Sequence, residues 1–271
     1  EVPFFQRSYV WKDDLWQRLL DDMEFIVKTG KPHFFGSIIL KVGRKRRQGD
    51  LFTVCKTVVD GQQRLTTFLI FMKVLCLKTG QTTMFDMQFR LMGQTLALCH
   101  GKNDIAAFEK VMASTSAEQI DDPAPGSRII EAFNFFVKNL DETKLDIMTI
   151  MTNTQFVKID LDEDEDEQQI FDTINSLGVN LTTSELLKNY FFSRETIQEY
   201  EAKWVSVFEK DDDVKAYWDT ELETGRLKRA MIDIFFDAYF QLFIQDRNYN
   251  ITNEDKLMYA RVDHLSQSYQ H

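Results

Sequence analysis

The feature that most constrains the fold is an abrupt break between a strand-like segment and a long apolar helix. Residues 51–59 are rich in the β-branched and apolar residues typical of strands. The dipeptide Asp60-Gly61 ends this segment, and apolar residues then recur at helical spacing as far as Lys78. The pattern therefore predicts a helix that starts directly after a strand, and the free N–H groups at such a helix start favour a bound anion.

The side chains at this break are suited to binding an anion. Arg64 falls in the first helical turn, where its guanidinium can make a bidentate contact. Neutral hydrogen-bonding groups surround it at Gln62, Gln63, Thr66 and Thr67. A structural alternative is equally compatible with the spacing: Asp60 caps the helix and Arg64 forms an internal ion pair.

The rest of the chain divides into a mixed part and a helical part. The pattern of residues 1–82 predicts an α/β domain. It contains a helix near 12–28 and two strands, at 34–42 and 51–59, which a basic turn at 43–50 connects. Residues 83–271 predict a predominantly helical domain with one strand near 155–161. The candidate helices lie near 103–113, 127–139, 141–151, 183–193, 194–209, 213–221, 225–245 and 253–266. The expected fold class is α+β, with a small mixed sheet in the N-terminal part.

Charge is distributed unevenly along the chain. The net charge is −11, and seven acidic residues lie between Asp160 and Glu167. Asp160, Asp162 and Asp164 can be read as Mg²⁺ ligands or as a solvated acidic helix start. A basic run at Arg44, Lys45, Arg46 and Arg47 can be read as a solvated hairpin tip or as a contact to a nucleic-acid backbone.

Several classes of protein are excluded by what the sequence lacks. Cys55, Cys76 and Cys99 are an odd number without CxxC spacing, which argues against a disulfide framework and for a cytoplasmic protein. No apolar run approaches the ~20 residues of a membrane span. No Walker, GxGxxG, HExxH or GxSxG motif occurs, so catalysis would rest on Arg, Gln, Asp and Asn.

Two other segments contribute candidate ligands. Gln6 and Arg7 directly precede the first predicted helix, and Arg7 can face the same anion or help to pack the helix start. Residues 171–189 predict a helix–turn–helix junction in which capping and packing explain every residue except Asn175 and Lys188. Asn175 is therefore a further candidate for ligand binding.

These motifs together resemble a known family. Pro3-Phe4-Phe5-Gln6-Arg7-Ser8-Tyr9-Val10-Trp11, Phe35-Gly36-Ser37-Ile38-Ile39-Leu40, Asp60-Gly61-Gln62-Gln63-Arg64-Leu65-Thr66-Thr67 and the segment 171–189 occur in this order. The order is similar to that of the GmrSD-type restriction endonuclease N-terminal family, over roughly residues 1–195. The Asp-Gly-Gln-Gln-Arg string is the specific part of the resemblance.

The resemblance implies both a fold and a function. Family members have a ParB- and sulfiredoxin-like N-terminal fold, and several act in defence against phage as nucleotide-hydrolysing sensors that govern DNA cleavage. It implies an NTP-phosphate site at Asp60, Gly61, Gln62, Gln63 and Arg64, with Arg7 beside it. The nucleotide, whether GTP, ATP, CTP or UTP, is not distinguished, and Mg²⁺ is the expected metal.

The expected function is that of a Mg²⁺-dependent NTP-hydrolysing regulatory domain in a DNA restriction system. Arg64 and Arg7 would hold phosphates, and Gln62 or Gln63 would position water. Asp60 would orient the turn or bind the metal. Gln6, Gly61, Thr66, Thr67 and Asn175 would complete the nucleotide site.

Two alternatives remain open: a non-catalytic DNA- or partner-binding module, and a ParB-like nuclease. The expected partners are the nucleotide and DNA, the latter contacted directly or through a nuclease module or subunit. An oligomer is compatible with the sequence, whereas a membrane partner is not expected.

The sequence departs from the family pattern at two points, which bear on the expected nuclease module and on sulfiredoxin-type chemistry. Asp263-His264-Leu265-Ser266 lacks the Pro of a His-x-x-Pro-like HNH core, so we expect the nuclease to be absent, truncated or on another chain. No cysteine follows a glycine, which argues against sulfiredoxin-type chemistry.

Overall fold

The computed structural model describes residues 1–3, 8–48, 51–91, 95–121, 126–162, 188, 191–192, 196–224 and 227–243. The chain forms two compact units, Glu1–Phe171 and Asp172–His271. The sequence-based division falls after residue 82. It differs because the strand near 155–161 pairs with strands from the first 60 residues, a long-range contact that no local pattern encodes.

The first unit combines helices with a small sheet. Its helices are α1 (Asp13–Thr29), α2 (Gln62–Lys78), α3 (Thr82–Phe89), α4 (Ile105–Met112), α5 (Arg128–Asn139) and α6 (Ile147–Asn153), with a 3-10 turn at Glu142–Lys144. Its strands are β1 (His33–Gln48), β2 (Leu51–Asp60), β3 (Arg90–Leu91), β4 (Thr95–Leu96) and β5 (Thr154–Leu161). The expected α+β class with a small mixed sheet is confirmed.

The main sheet has the strand order β2-β1-β5. β1 runs antiparallel to β2 and parallel to β5, so the sheet is mixed. β5 pairs with β1 from His33 to Lys41, and beyond that point the described residues show β1 paired with β2 alone. The predicted basic turn at 43–50 is therefore shorter than expected, because residues 43–48 continue β1 opposite residues 51–54 and leave two residues between the strands.

Helix α2 lies at the centre of the first unit. Thirteen of its seventeen residues are buried, and it packs against α3, α4, α5, α6 and β1. Phe71 of α2 meets Phe136 of α5 at a ring-centroid distance of 5.6 Å, and Phe68 meets Phe156 of β5 at 5.7 Å. A helix that is apolar on all sides has to be covered on all sides, which explains the surrounding helices and sheet.

The opposite face of the sheet is also apolar. Ile39, Val59 and Leu161 form a second buried cluster, one residue from each strand, with Ile159 packed against it. The sheet thus has buried residues on both faces of its three-stranded part, although Phe34 and Val157 remain exposed.

The second unit consists of short helices and a hairpin, and aromatic side chains pack between its helices. Its helix α7 comprises Ile197–Glu199, a π-helical segment Tyr200–Val205 and Ser206–Phe208; α8 is Asp212–Asp219, β6 is Glu221–Thr224, β7 is Leu227–Ala230 and α9 is Met231–Phe243. Trp204 stacks on Phe236 at 6.0 Å, and Phe208 contacts Trp218 at 5.2 Å.

The structure also differs from the sequence prediction in several elements. The helix predicted near 141–151 is divided into the 3-10 turn Glu142–Lys144 and helix α6. The helix predicted at 225–245 begins only at Met231, because β6 and β7 form an antiparallel hairpin before it. Helix α3 and the two-residue strands β3 and β4 were not predicted either. Segments this short contain too few residues for their hydrophobic period to separate helix from strand.

The predicted helices near 183–193 and 253–266 lie outside the described residues, apart from Lys188, Phe191 and Phe192. None of the helices in the described part of the chain is both long and apolar enough to cross a membrane.

Core packing around α2 can be tested by truncating one aromatic ring. Phe136 is fully buried. Phe136→Ala should lower the free energy of unfolding by about 3–5 kcal/mol, because it removes apolar contacts and leaves a cavity. The matched control Phe25→Ala, at a ring that is 51% exposed on α1, should cost less than about 0.5 kcal/mol. Urea denaturation measures both, and equal costs would contradict this packing.

Candidate functional site

The candidate site is the junction between β2 and α2. Gly61 links the two elements with a φ of +95°, which side chains other than glycine rarely adopt. A Cβ at this position would meet Ser37 O at 3.2 Å and Ile38 Cγ1 at 3.3 Å. Glycine therefore allows the chain to turn from strand to helix against the backbone of β1.

The N-cap residue of α2 is Gly61, which makes no side-chain capping bond. Asp60 precedes the cap residue Gly61, and its carboxylate bonds to Arg64 instead of to the helix backbone. The first intrahelical bond, from Leu65 N to Gly61 O, is 2.9 Å. The N-cap residue thus contributes no side-chain acceptor at the positive end of the helix dipole, which suits this end to an anion.

Arg64 is held by two acceptors. Its Nη2 donates to Asp60 Oδ2 at 2.8 Å and to Ser37 O at 2.7 Å. Its Nε is buried and has no hydrogen-bond partner in the described part of the chain. The side chain is 27% exposed, so the guanidinium is fixed at the junction while part of it reaches the surface.

Gly36 makes room for this arginine. β1 carries a bulge between Phe34 and Gly36, where Gly36 has a φ of +113°. A Cβ on Gly36 would lie 3.0 Å from both Cδ and Nε of Arg64. This segment of β1 therefore holds Arg64 in two ways. Gly36 leaves room for its side chain, and the carbonyl of Ser37 accepts a hydrogen bond from it.

Gln63 fixes the segment that leads to α1. Its Oε1 accepts from Val10 N at 2.9 Å, and its Nε2 donates to Ser8 O at 3.3 Å. Gln63 is buried, and both ends of its amide are used. The chain directly after Gln6 and Arg7 is thereby held against the first turn of α2, whereas Gln6 and Arg7 themselves lie outside the described residues.

Thr67 belongs to a buried hydrogen-bond chain beneath the junction. Its hydroxyl donates to Gln63 O at 2.7 Å, so Tyr9 must donate its own hydroxyl hydrogen to Thr67 Oγ1 at 2.6 Å. Trp16 Nε1 in turn donates to Tyr9 at 2.8 Å. Burial raises the pKa of Tyr9, which keeps the phenol neutral in this chain.

Thr66 pairs with His100 in the same buried layer. Thr66 Oγ1 donates to Gln62 O at 2.7 Å and lies 2.9 Å from Nε2 of His100, which must therefore donate. Burial lowers the pKa of His100 to about 4, so its ring is neutral. Thr66 and Thr67 are both fully buried and face this inner layer.

Other candidate residues have structural partners. Asp160 forms ion pairs with Lys56 at 2.6 Å and with Lys158 at 2.7 Å, which hold its pKa below the usual range. The described residues contain no cluster of His, Cys, Asp and Glu that could hold a metal ion. Residues 163–167 and Asn175 lie outside the described part of the chain.

Lys188 pairs with Glu209 inside the second unit, with 2.8 Å between Nζ and Oε1. Burial favours a higher pKa for Glu209, but the bond and charge of Lys188 and the bonds from Tyr200 and Trp204 lower it. Lys188, which capping and packing left unexplained in the sequence, therefore has a structural partner in this unit.

The structure brings together five residues that the sequence singled out, Asp60, Gly61, Gln62, Gln63 and Arg64. A family model described as the GmrSD restriction endonuclease, N-terminal domain, matches residues 1–192. The chain belongs to this family. The matched GmrSD N-terminal region includes the whole first unit, and with it β1, β2 and α2. A search of curated proteins gives no match.

Membership of the GmrSD family places the protein among restriction and defence proteins. Sequence reasoning missed the supporting residues of the GmrSD junction, namely Gly36, Ser37, Tyr9, Trp16 and His100. A glycine inside a strand is a signal for a bulge or a close approach, and it could have identified Gly36. The roles of Tyr9, Trp16 and His100 depend on tertiary contacts.

The contact between Gly36 and Arg64 can be tested by adding a methyl group. Gly36→Ala should cost about 1–3 kcal/mol more stability than Gly80→Ala, because Arg64 has to move. Gly80 also has a positive φ, +70°, but its Cβ would meet nothing within 4 Å. Urea midpoints measure the difference, and equal losses would show that Arg64 does not pack on Gly36.

The buried histidine predicts a pH dependence of stability. Because the pKa of His100 is near 4 in the folded protein and near 6.5 unfolded, its neutral form stabilises the fold above pH 6.5. This contribution, about 3 kcal/mol, is lost progressively as the pH falls from 6.5 to 4. Urea midpoints of wild type and His100→Gln should converge over this interval. Parallel pH profiles would contradict the assignment.

Proposed function

We propose that this domain binds a nucleoside triphosphate through its phosphates at the β2–α2 junction and regulates a DNA restriction or anti-phage system through the bound nucleotide. The observation that carries the proposal is the N-terminus of α2, whose cap residue Gly61 makes no side-chain capping bond, with Arg64 fixed in the first turn. The backbone N–H groups of a helix N-terminus and a fixed guanidinium are donors that suit phosphate oxygens.

The charges at the junction favour an anion. Asp60 balances the charge of Arg64 in their ion pair. The helix dipole adds about half a positive charge at the start of α2, where the cap residue is Gly61 and the first turn contains no acidic residue. Arg64 uses Nη2 for its protein contacts and its Nε is buried, so Nη1 is the nitrogen left for a phosphate.

Magnesium fits this arrangement only together with the phosphates. Asp60 Oδ2 is bonded to Arg64, which leaves Oδ1 as one carboxylate oxygen for a metal. Mg²⁺ is commonly bound through one or two carboxylates, with substrate phosphates and water as its other ligands. A bound Mg²⁺–nucleotide would supply charge neutralisation on the phosphates.

Hydrolysis requires a water molecule in line with the terminal phosphate. Gln62 or Gln63 would position such a water, and Gln63 would have to release Ser8 O and Val10 N to do so. The water oxygen would bond to the terminal phosphorus as the bond to the bridging oxygen breaks, giving a nucleoside diphosphate and phosphate. Positioning and charge stabilisation suffice for this transfer.

Within the proposal, Arg7 and Gly61 keep the roles in phosphate binding that the sequence predicts. Arg7 directly precedes Ser8, whose carbonyl is held by Gln63 at the start of α2, so its chain position suits a second phosphate contact. Gly61 allows a phosphate to approach the backbone closely. Thr66 and Thr67 would act indirectly, since both support the first turn of α2 from below.

The nucleotide site can be tested by thermal unfolding with GTP, ATP, CTP or UTP and Mg²⁺. A ligand at 100 times its dissociation constant stabilises the folded protein by about 2.7 kcal/mol. The melting temperature should therefore rise by about 5–10 °C with the cognate nucleotide. Arg64→Ala should abolish the shift, and Arg64→Lys, which keeps the charge without the planar fork, should retain part of it.

Arg18→Ala is the matched control, because it removes an exposed arginine of α1 and should leave the shift intact. Circular dichroism checks that each variant is folded. A shift that persists in folded Arg64→Ala would disprove this site, and the absence of any shift in wild type would disprove nucleotide binding. Phosphate release in the same samples separates a hydrolase from a nucleotide-gated switch.

A further inference from the structure

The hairpin of β1 and β2 extends beyond the sheet. β5 stops pairing with β1 at Lys41, and residues 42–48 of β1 then pair with residues 51–56 of β2 alone among the described residues. We call residues 42–48 and 51–55 the basic ribbon. Seven strand residues span about 23 Å, so the ribbon is long enough to reach a partner outside the first unit.

The basic ribbon carries the opposite charge from the chain as a whole. Residues 42–55 contain Arg44, Lys45, Arg46 and Arg47 but one acidic residue, Asp50, in a chain whose net charge is −11. The four basic residues occupy consecutive positions up to the end of β1. Because successive strand positions alternate between the two faces, positive residues occupy positions on both faces of the ribbon.

Such a ribbon is poorly stabilised without a partner. Two-stranded sheets are marginally stable in water, and the closely spaced positive charges along β1 repel one another. A polyanion would relieve this repulsion. The physical properties of the ribbon therefore favour an extended, negatively charged partner.

We propose that the basic ribbon binds duplex DNA by entering the major groove, with Arg44, Lys45, Arg46 and Arg47 as the contacts to phosphates and base edges. The major groove of B-DNA, about 12 Å wide, admits a two-stranded β-ribbon. The family belongs to restriction endonucleases, whose substrate is DNA. This contact is separate from the proposed nucleotide site and does not depend on it.

The test measures binding of a fluorescent 30-base-pair duplex by the whole chain, using anisotropy, at several salt concentrations. Each neutralised phosphate contributes about −0.9 to the slope of log K against log salt. Four contacts give a slope of about −3.6, or roughly a 150-fold loss of affinity between 50 and 200 mM salt. Replacing Arg44, Lys45, Arg46 and Arg47 with glutamine should remove most of this slope and the affinity that accompanies it.

A matched control removes four positive charges elsewhere in the first unit. Replacing exposed Arg18, Lys28, Lys31 and Lys138 with glutamine gives the same net charge and should leave the salt slope unchanged. If the ribbon variant unfolds, the pairs Arg44→Gln/Arg46→Gln and Lys45→Gln/Arg47→Gln should each remove about half of the slope. Equal losses in ribbon and control variants would overturn the proposal.

Two further outcomes would also overturn the proposal. One is no measurable binding of the duplex by wild type. The other is binding of phosphatidylserine vesicles, lost in the ribbon variant, without binding of DNA, which would assign the ribbon to a lipid surface instead. The nucleotide-dependent shift in melting temperature is unaffected by the ribbon variant if both proposals hold, so failure of one is distinguishable from failure of the other.

Discussion

The first unit depends on the burial of helix α2. A helix with thirteen of seventeen residues buried cannot stay folded unless other elements cover it on every side. Helices α3–α6 and strand β1 supply that cover. Even its buried lysine, Lys73, is placed over the ring of Phe85 at 5.1 Å, and burial lowers the pKa of this amine. The position of α2 in turn places its first turn against β1.

The polar side chains at the buried start of α2 need hydrogen-bond partners, and the neighbouring segments supply them. Gln63 bonds to the backbone at Ser8 and Val10, and Thr67 receives the chain of donors from Trp16 through Tyr9. An unpaired buried polar group costs about 1–3 kcal/mol, so these bonds define how residues 8–16 pass over the helix. The tail of β2, the bulge of β1 and the segment before α1 thus converge on one turn.

At this turn, part of the Arg64 side chain remains exposed at the surface. Arg64 is fixed from two sides by Asp60 and Ser37 O, and Gly36 provides the space beside it. A guanidinium that is already fixed loses little conformational entropy when it binds a phosphate. The same sheet, through the extension of β1 and β2 beyond β5, carries the basic ribbon. One hairpin therefore links a candidate anion site at one end of β2 to a candidate DNA contact at the other.

The sequence by itself determined the local elements and the identity of the junction. Helices α1, α2, α5 and strand β5 follow from hydrophobic period, and the break at Asp60-Gly61 is a local signal. The sequence left open whether the junction binds an anion or is purely structural, with Asp60 capping α2 and Arg64 in an internal ion pair. The structure shows an ion pair, between Arg64 and Asp60, whereas the cap residue is Gly61. Which donor the carboxylate of Asp60 finds depends on where Arg64 is held against the backbone of β1, and local spacing does not encode that position.

Only the tertiary structure decided how distant segments combine. The parallel pairing of β5 with β1, the support of Arg64 by Gly36 and the buried neutral state of His100 all join residues that are far apart in the chain. The length of β1 through Arg47 was also decided by its partner strand, since basic residues favour neither a strand nor a turn strongly. Periodicity reports which face of a segment is apolar, whereas the identity of the segment that covers that face is a property of the packed chain.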